Sequence, residues 1–156
     1  MKQETLLLRV TIYLIGVAVI AILLALPFIT GVALKHYAAH PVYFIAAGLY
    51  LSAIPFFLAL YHTLRLLGNI EGNKAFSDLS VNALQNIKWC ALSVSAIYML
   101  ISPFFYLIAD AEDAPGILVI VLAAVFAAFV IGVFAAVLQK LLKRAIDYKT
   151  DNDLTV

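Results

Sequence analysis

Apolar residues run along this chain in four long blocks, Val10 to Leu34, Val42 to Leu64, Trp89 to Ala109 and Gly116 to Leu138, none of which holds an Asp, Glu, Lys or Arg. Each is about 20 residues or longer, enough for an α-helix to cross a hydrocarbon layer about 30 Å thick. No water is present in that layer to satisfy backbone N–H and C=O groups, so such runs are expected to be helical. The polar stretches between them are short, the longest being the loop 65–88 and the tail 139–156. The pattern predicts an all-α, integral membrane four-helix bundle that forms a single membrane domain, 1–156, with no soluble domain.

The two longest polar stretches carry helix signals of their own. After the turn-rich run Gly68-Asn69-Ile70-Glu71-Gly72-Asn73, Ser77 reads as an N-cap, Asp78 sits in the first turn, and Phe76 is placed to staple against Val81. Leu79, Ala83, Leu84 and Ile87 then share one face, opposite Asn82, Gln85 and Asn86. This predicts a short amphipathic helix leading into the third span. Past the fourth span, Leu138, Leu141, Leu142, Ala145 and Ile146 continue a helical stripe, with Gln139, Lys140, Lys143, Arg144 and Asp147 opposite, so the last helix is expected to extend beyond the bilayer. The plain reading is that both segments lie on headgroups or on each other. The functional reading makes Phe76, Leu79, Leu84, Ile87, Leu141, Leu142, Ile146 and Leu154 apolar anchors for a docked protein.

Charge adds orientation. Of the 10 Lys and Arg residues, only Lys35 falls on one side of the threaded chain; Lys2, Arg9, Arg65, Lys74, Lys88, Lys140, Lys143, Arg144 and Lys149 fall on the other. Positive-inside puts both termini and the 65–88 loop in the cytoplasm of a multi-pass plasma-membrane protein. The outer face, with Asp110, Glu112 and Asp113 against Lys35, carries about −2, and the inner face about +3. A chain that is 65% hydrophobic and 12% charged has too little polar surface for a soluble globule. Its few basic residues sit where insertion needs them, so no direct nucleic-acid binding is expected. The first apolar run is too long for a signal-peptide h-region and reads as a retained anchor. The lone cysteine, Cys90, excludes an intramolecular disulfide and a cysteine metal cluster.

Packing features follow. Ala124, Ala128, Gly132 and Ala136 form a small-residue stripe on the fourth span, which reads first as contact within the bundle and second as a homodimer face. Pro27, Pro55, Pro103 and Pro115 lie at or near the spans. Pro55 and Pro103 fall inside helical runs and are hinge candidates, with Ser52 and Ser102 placed to satisfy freed carbonyls, while Asp113 followed by Pro115 reads as an ordinary helix start. No ionisable group stands at mid-membrane depth, which argues against a pump or ion-coupled transporter.

In the first outer loop, His36 and His40 are four apart, adjacent turns if that loop is helical, and face the side that holds Asp110, Glu112 and Asp113. That spacing suits a Zn²⁺ site or a pH sensor. The ordinary reading, an interfacial loop with His and Tyr at headgroup level, is preferred, so no metal, cofactor or catalytic residue is assigned. Without a paired nucleophile and base the chain is not expected to be an enzyme.

Several segments taken together resemble a known family. The stretch Tyr50-Leu51-Ser52-Ala53-Ile54-Pro55-Phe56-Phe57 with Ala59-Leu60-Tyr61, the loop Asn73-Lys74-Ala75-Phe76-Ser77, Pro103-Phe104-Phe105-Tyr106 with Ala109-Asp110 and Asp113-Ala114-Pro115-Gly116, and the end Asn152-Asp153-Leu154-Thr155-Val156 are similar to small four-span bacterial membrane proteins catalogued as domain of unknown function 2975. The resemblance covers nearly the whole chain and implies a plasma-membrane protein, typically of Gram-positive bacteria, often encoded beside a small helix-turn-helix regulator. It supplies no catalytic residues. The expected function is a signalling or sequestration partner that docks a cytoplasmic protein such as that DNA-binding regulator. The alternative is a small transporter, exporter subunit or immunity-type protein for an apolar or cationic molecule, with Phe57, Tyr98 and Tyr106 along a path and Asp110, Glu112 and Asp113 at its mouth. A common wet cavity shared by Ser52, Tyr98 and Ser102 would favour that alternative.

Overall fold

A computed structural model of the chain describes residues 2–155. Four helices account for nearly all of them: α1 (Lys2–His36), α2 (Ala39–Glu71), α3 (Asp78–Glu112) and α4 (Gly116–Thr155). All four are long and apolar enough to cross a membrane. At 1.5 Å per residue they measure about 50 to 60 Å, well beyond a hydrocarbon core of about 30 Å, so each spanning helix carries extra turns outside it. The chain runs back and forth, so both termini and the α2–α3 turn share one end, here the basic end. The α1–α2 and α3–α4 turns share the other, the acidic end.

Packing is serial: α1 lies on α2, α2 on α3 and α3 on α4, and no other pair of helices brings its backbones together among the described residues. Named contacts fix the registers. A Cβ on Gly48 of α2 would strike the Ile101 side chain of α3, and one on Gly132 of α4 would lie 2.9 Å from Leu92 Cδ2 and 3.5 Å from the Lys88 carbonyl of α3. The buried Ser95 hydroxyl of α3 donates to the Val125 carbonyl of α4 at 3.0 Å. Such small-residue approaches let backbones close where lipid tails provide no hydrophobic drive toward association.

The outer helices each bury a narrow seam. In α1, Thr5, Arg9, Ile12, Gly16, Val19, Leu23, Leu26, Thr30 and Ala33 are the partly or fully covered positions up to Ala33, at alternating steps of four and three. In α4, Val121, Val125, Ala128, Gly132, Ala135, Gln139, Leu142 and Ile146 repeat those steps. That is the heptad spacing of left-handed helix packing. Most of the remaining positions on these two helices face outward, toward lipid over the membrane-spanning turns.

Both longer turns use one device. Asn73 and Asp113 have φ of 60° and 53°, in the left-handed region. After α2, Asn73 N–H donates to the Ile70 carbonyl (3.3 Å) and Lys74 N–H to Asn69 (2.7 Å); after α3, Asp113 N–H donates to Asp110 (3.3 Å) and Ala114 N–H to Ala109 (2.9 Å). These are paired Schellman closures, with Asn and Asp tolerated where glycine is commonest because their short polar side chains accept αL. Asp113 therefore closes α3 and does not cap α4, which begins at Gly116. For the same reason α2 continues through Gly68 to Glu71: the chain turns at Asn73, not at the first glycine.

Other expectations are refined. The amphipathic segment before the third span is the first turns of α3 itself, and the last helix continues through the tail to Thr155. Ser77 occupies the N-cap position with extended backbone, but its hydroxyl turns back to the Lys74 carbonyl instead of capping. Ser80, with 0% exposure, sends its hydroxyl to the same carbonyl at 3.2 Å, so Lys74 anchors the turn from both serines. α2 and α3 run unbroken through Pro55 and Pro103. Ser52 and Ser102 do not reach the carbonyls those prolines free, at Leu51 and Met99; they bond Leu49 and Tyr98, a turn behind themselves. Pro27 is the proline with a partner. It frees the Leu23 carbonyl, and the Tyr50 hydroxyl of α2 donates to it at 3.0 Å.

Candidate functional site at the basic end

The eight docking candidates divide by burial. Phe76, Leu79, Leu141 and Leu154 are exposed, Leu154 at 79%. Ile87, Leu142 and Ile146 are half covered, and Leu84 is buried in the helix packing. The amphipathic face of early α3 is thus turned inward, with Ser80 taking a place that Leu79 was expected to fill. In the tail, Leu142, Ala145 and Ile146 follow the inner seam with Gln139, while Leu138 and Leu141 lie outside it. Sequence spacing gave the helix but misplaced its face by part of a turn, because a stripe three residues wide admits more than one centre.

Register explains what projects. Lys88 and Ser95 of α3 meet Gly132 and Val125 of α4, so continuing the antiparallel pairing sets the start of α3 level with Leu142. The turns from Lys143 onward pass beyond it, about 20 Å of helix at 1.5 Å per residue. They carry Lys143, Arg144, Lys149 and the 75%-exposed Tyr148.

Two arginines at this end have different surroundings. Arg9 of α1 donates to the Glu71 carboxylate of α2 at 2.9 Å, and its Nε is buried without a partner. Arg65 of α2 lies 6.0 Å over the Tyr61 ring and has no carboxylate partner among the described residues. It borders a cleft of about 340 Å³ between α2 and α3, together with His62, Asn82, Ala83, Gln85 and Asn86. The Lys88 ammonium sits 4.8 Å over the exposed Trp89 ring, an interfacial anchor of the kind expected where a helix enters the headgroups. The sequence reading missed the cleft, since its residues come from two segments that no linear spacing relates.

At the acidic end the histidines separate. His36 ends α1 and His40 stands in the first turn of α2, with the bend at 37–38 between them, so they do not occupy adjacent turns of one helix. His40 packs edge-on against Phe44 (5.0 Å) and Phe104 (5.6 Å), which stack on each other at 4.6 Å. Among the described residues, no three His, Cys, Asp or Glu side chains gather where a metal could be held. Tyr37 makes the link to the acidic turn instead: its hydroxyl donates to Glu112 at 2.7 Å. That hydrogen bond, helped by the carboxylate's charge, pushes the Tyr37 phenol above its ordinary range.

Within the membrane-spanning turns, Ser52 and Tyr98 border one cavity of about 140 Å³ whose other walls are apolar, among them Val19, Leu26, Leu49 and Phe56. Ser102 is not part of it. A second apolar space of about 200 Å³, toward the acidic end, shares Leu26 and Leu49 with the first. Asp110 and Asp113 border a separate cleft with Tyr106. The stripe Ala124, Ala128, Gly132, Ala136 faces inward, with Gly132 against Leu92.

The chain is similar to the uncharacterized membrane protein YoaS of Bacillus subtilis (strain 168), at 48% identity over 158 residues that cover 99% of each protein. No solved structure matches it. Residues 32–156, from the end of α1 through α4, match the family of proteins of unknown function DUF2975, and this four-span membrane protein belongs to that family.

Proposed function

We propose that the basic end is a docking platform for a cytoplasmic protein, and that the membrane-embedded helices hold this platform at the bilayer surface. One observation carries the reading: α4 continues unbroken for 40 residues, about twice what a bilayer requires, and its surplus lies at the end where Phe76, Leu79, Leu141 and Leu154 are exposed. A helix that continues past the headgroups, with apolar side chains on its free surface, suits a partner that binds by helix contacts. The positive-inside rule supports a cytoplasmic position for that surface. A helix-turn-helix regulator is the partner class suggested by the family resemblance, and sequestration at the membrane is the corresponding mechanism. The transport alternative draws no comparable support: Ser52 and Tyr98 share an apolar space, Ser102 lies outside it, and the acidic cleft is separate.

The test has two parts. In a Cys90→Ala background, single cysteines at Thr150 and Ala38 are labelled in intact cells with a membrane-impermeant maleimide. Labelling at 38 and protection at 150 is expected, and the reverse would put the platform outside the cell. Crosslinked pull-downs of the full chain and of a chain lacking 148–156 are then compared by mass spectrometry. Recovery of a small DNA-binding protein by the full chain alone is expected. The same proteins from both chains would remove the tail from the mechanism.

A further inference from the structure

On the surface between α2 and α3 at the basic end, Arg65, Asn82, Gln85 and Asn86 line the cleft of about 340 Å³ described above. None of their side chains has a hydrogen-bond or ion-pair partner among the described residues, although Arg65 rests over the Tyr61 ring. This contrasts with Arg9, whose charge is matched by Glu71 on the neighbouring helix. The cleft thus gathers a guanidinium fork and three amide groups and no carboxylate. Such a donor set suits the oxygens of a phosphate, which Arg binds through two parallel N–H bonds.

Depth narrows the ligand. Arg65 directly follows the second apolar run, and Trp89, with Lys88 over its ring, opens the third, so the cleft lies at the level of the headgroups. Its wall includes Leu79 and Ala83, apolar surface suited to the carbon skeleton that joins a headgroup to its acyl chains. Basic pockets between spanning helices on the cytoplasmic side have the chemistry to hold anionic lipid headgroups. We propose that this cleft binds the phosphodiester headgroup of an anionic bilayer lipid, with Arg65 holding the phosphate and the amides of Asn82, Gln85 and Asn86 completing its hydrogen bonds. The site shares Leu79 with the proposed docking face but does not rest on that reading, and its test contains no partner protein.

The experiment is native mass spectrometry of the full chain in mild detergent, titrated with phosphatidylglycerol and, separately, with phosphatidylcholine. Preferential retention of phosphatidylglycerol is expected, with Arg65→Gln weakening it about tenfold, as loss of a charge-assisted pair implies. Lys143→Gln removes the same charge from the projecting part of α4 and is expected to leave binding as it was. Equal retention by wild type and Arg65→Gln, or an equal loss in both variants, would overturn the site. Should Arg65→Gln fold poorly by circular dichroism, Arg65→Lys takes its place: it keeps the charge, loses the fork, and is expected to bind more weakly than wild type. Unchanged binding by Arg65→Lys would remove the guanidinium from the site. Displacement of the lipid by millimolar inorganic phosphate would identify the ligand as a soluble phosphate compound and overturn the lipid assignment.

Discussion

α1 and α4 flank the same central pair, and each buries a heptad-spaced seam, yet they are attached by opposite means. α4 closes on α3 through small residues: Gly132 admits Leu92, and the Val125 carbonyl receives the Ser95 hydroxyl. α1 leaves apolar spaces of about 140 and 200 Å³ beneath it and is tied by polar links at its two ends and its middle. Those links are Arg9 to Glu71, Tyr37 to Glu112, and the Leu23 carbonyl to Tyr50. In lipid, association rests on packing and hydrogen bonds because the solvent is as apolar as leucine. The helix with close backbone contact is therefore the firmly held one, and α1 depends on specific bonds. The family match begins at residue 32 and so takes in α2 to α4 but only the end of α1.

The largest expected effect tests that difference directly. Gly132→Leu forces a side chain into Leu92 and the Lys88 carbonyl and is expected to cost about 1–3 kcal/mol, the usual range for overpacking. Gly16→Ala on α1 places a Cβ 3.7 Å from Leu60 Cδ1, an ordinary contact, and is expected to be neutral or stabilising by up to about 1 kcal/mol. Thermal unfolding in one detergent compares them. A loss at Gly16 as large as that at Gly132 would erase the distinction between the two attachments.

Next come two hydrogen bonds of the same kind with different consequences. The Tyr50 hydroxyl serves a carbonyl that Pro27 has already deprived of its helical partner, so Tyr50→Phe leaves Leu23 oxygen unsatisfied and is expected to cost about 1–2 kcal/mol. Ser95 adds a bond to Val125, which lies in an uninterrupted helix and keeps its own partner, so Ser95→Ala is expected to cost about 0.5 kcal/mol. Replacing Pro27 with Ala in the Tyr50→Phe background restores the helical N–H and should recover most of the loss. Failure to recover it would show that Tyr50 acts through packing, not through the freed carbonyl.

These contrasts also mark where the sequence was informative. The four spans and the inward stripe at Gly132 were legible because charge-free length and small-residue spacing are linear properties. The seam of α1 was not, since a helix apolar on every side gives its buried face no contrast against lipid. The Pro27–Tyr50 pairing was hidden for another reason: the carbonyl that needs a donor and the donor itself lie on different helices. Ser52 and Ser102 are nearer in sequence to Pro55 and Pro103, yet the carbonyls they bond are not those the prolines free. Asp113 misled because aspartate suits both a helix start and a left-handed closure, and only its φ of 53° decides. The cleft at Arg65 was illegible for the same cross-helix reason as Tyr50.

The basic-end link of α1 is expected to matter less than its mid-helix bond. Arg9 and Glu71 are 34% and 33% exposed, so solvent and salt screen the pair, and a double-mutant cycle with Arg9→Gln and Glu71→Gln is expected to give a coupling of at most about 1 kcal/mol. The coupling should shrink as salt is raised. A salt-independent coupling would mean that the pair is sequestered from water and that α1 is held more tightly here than the exposures indicate.

The smallest effect is expected at the other end of α1, and pH isolates it. Tyr37 keeps its hydroxyl proton to a higher pH than an ordinary tyrosine because that proton is shared with Glu112. A pKa raised on folding contributes stability that is fully present below the ordinary value of about 10 and is lost as pH rises through the raised one. Below that window the wild-type protein should be slightly more stable than Tyr37→Phe; above it, phenolate and carboxylate repel and the advantage should vanish or reverse. Comparing unfolding temperatures of the two chains at pH 8 and pH 11 reads the difference free of other titrations, because both carry every other group alike. A gap that widened with pH would mean that Glu112 is not the acceptor, and the acidic-end tie of α1 would have to be sought elsewhere.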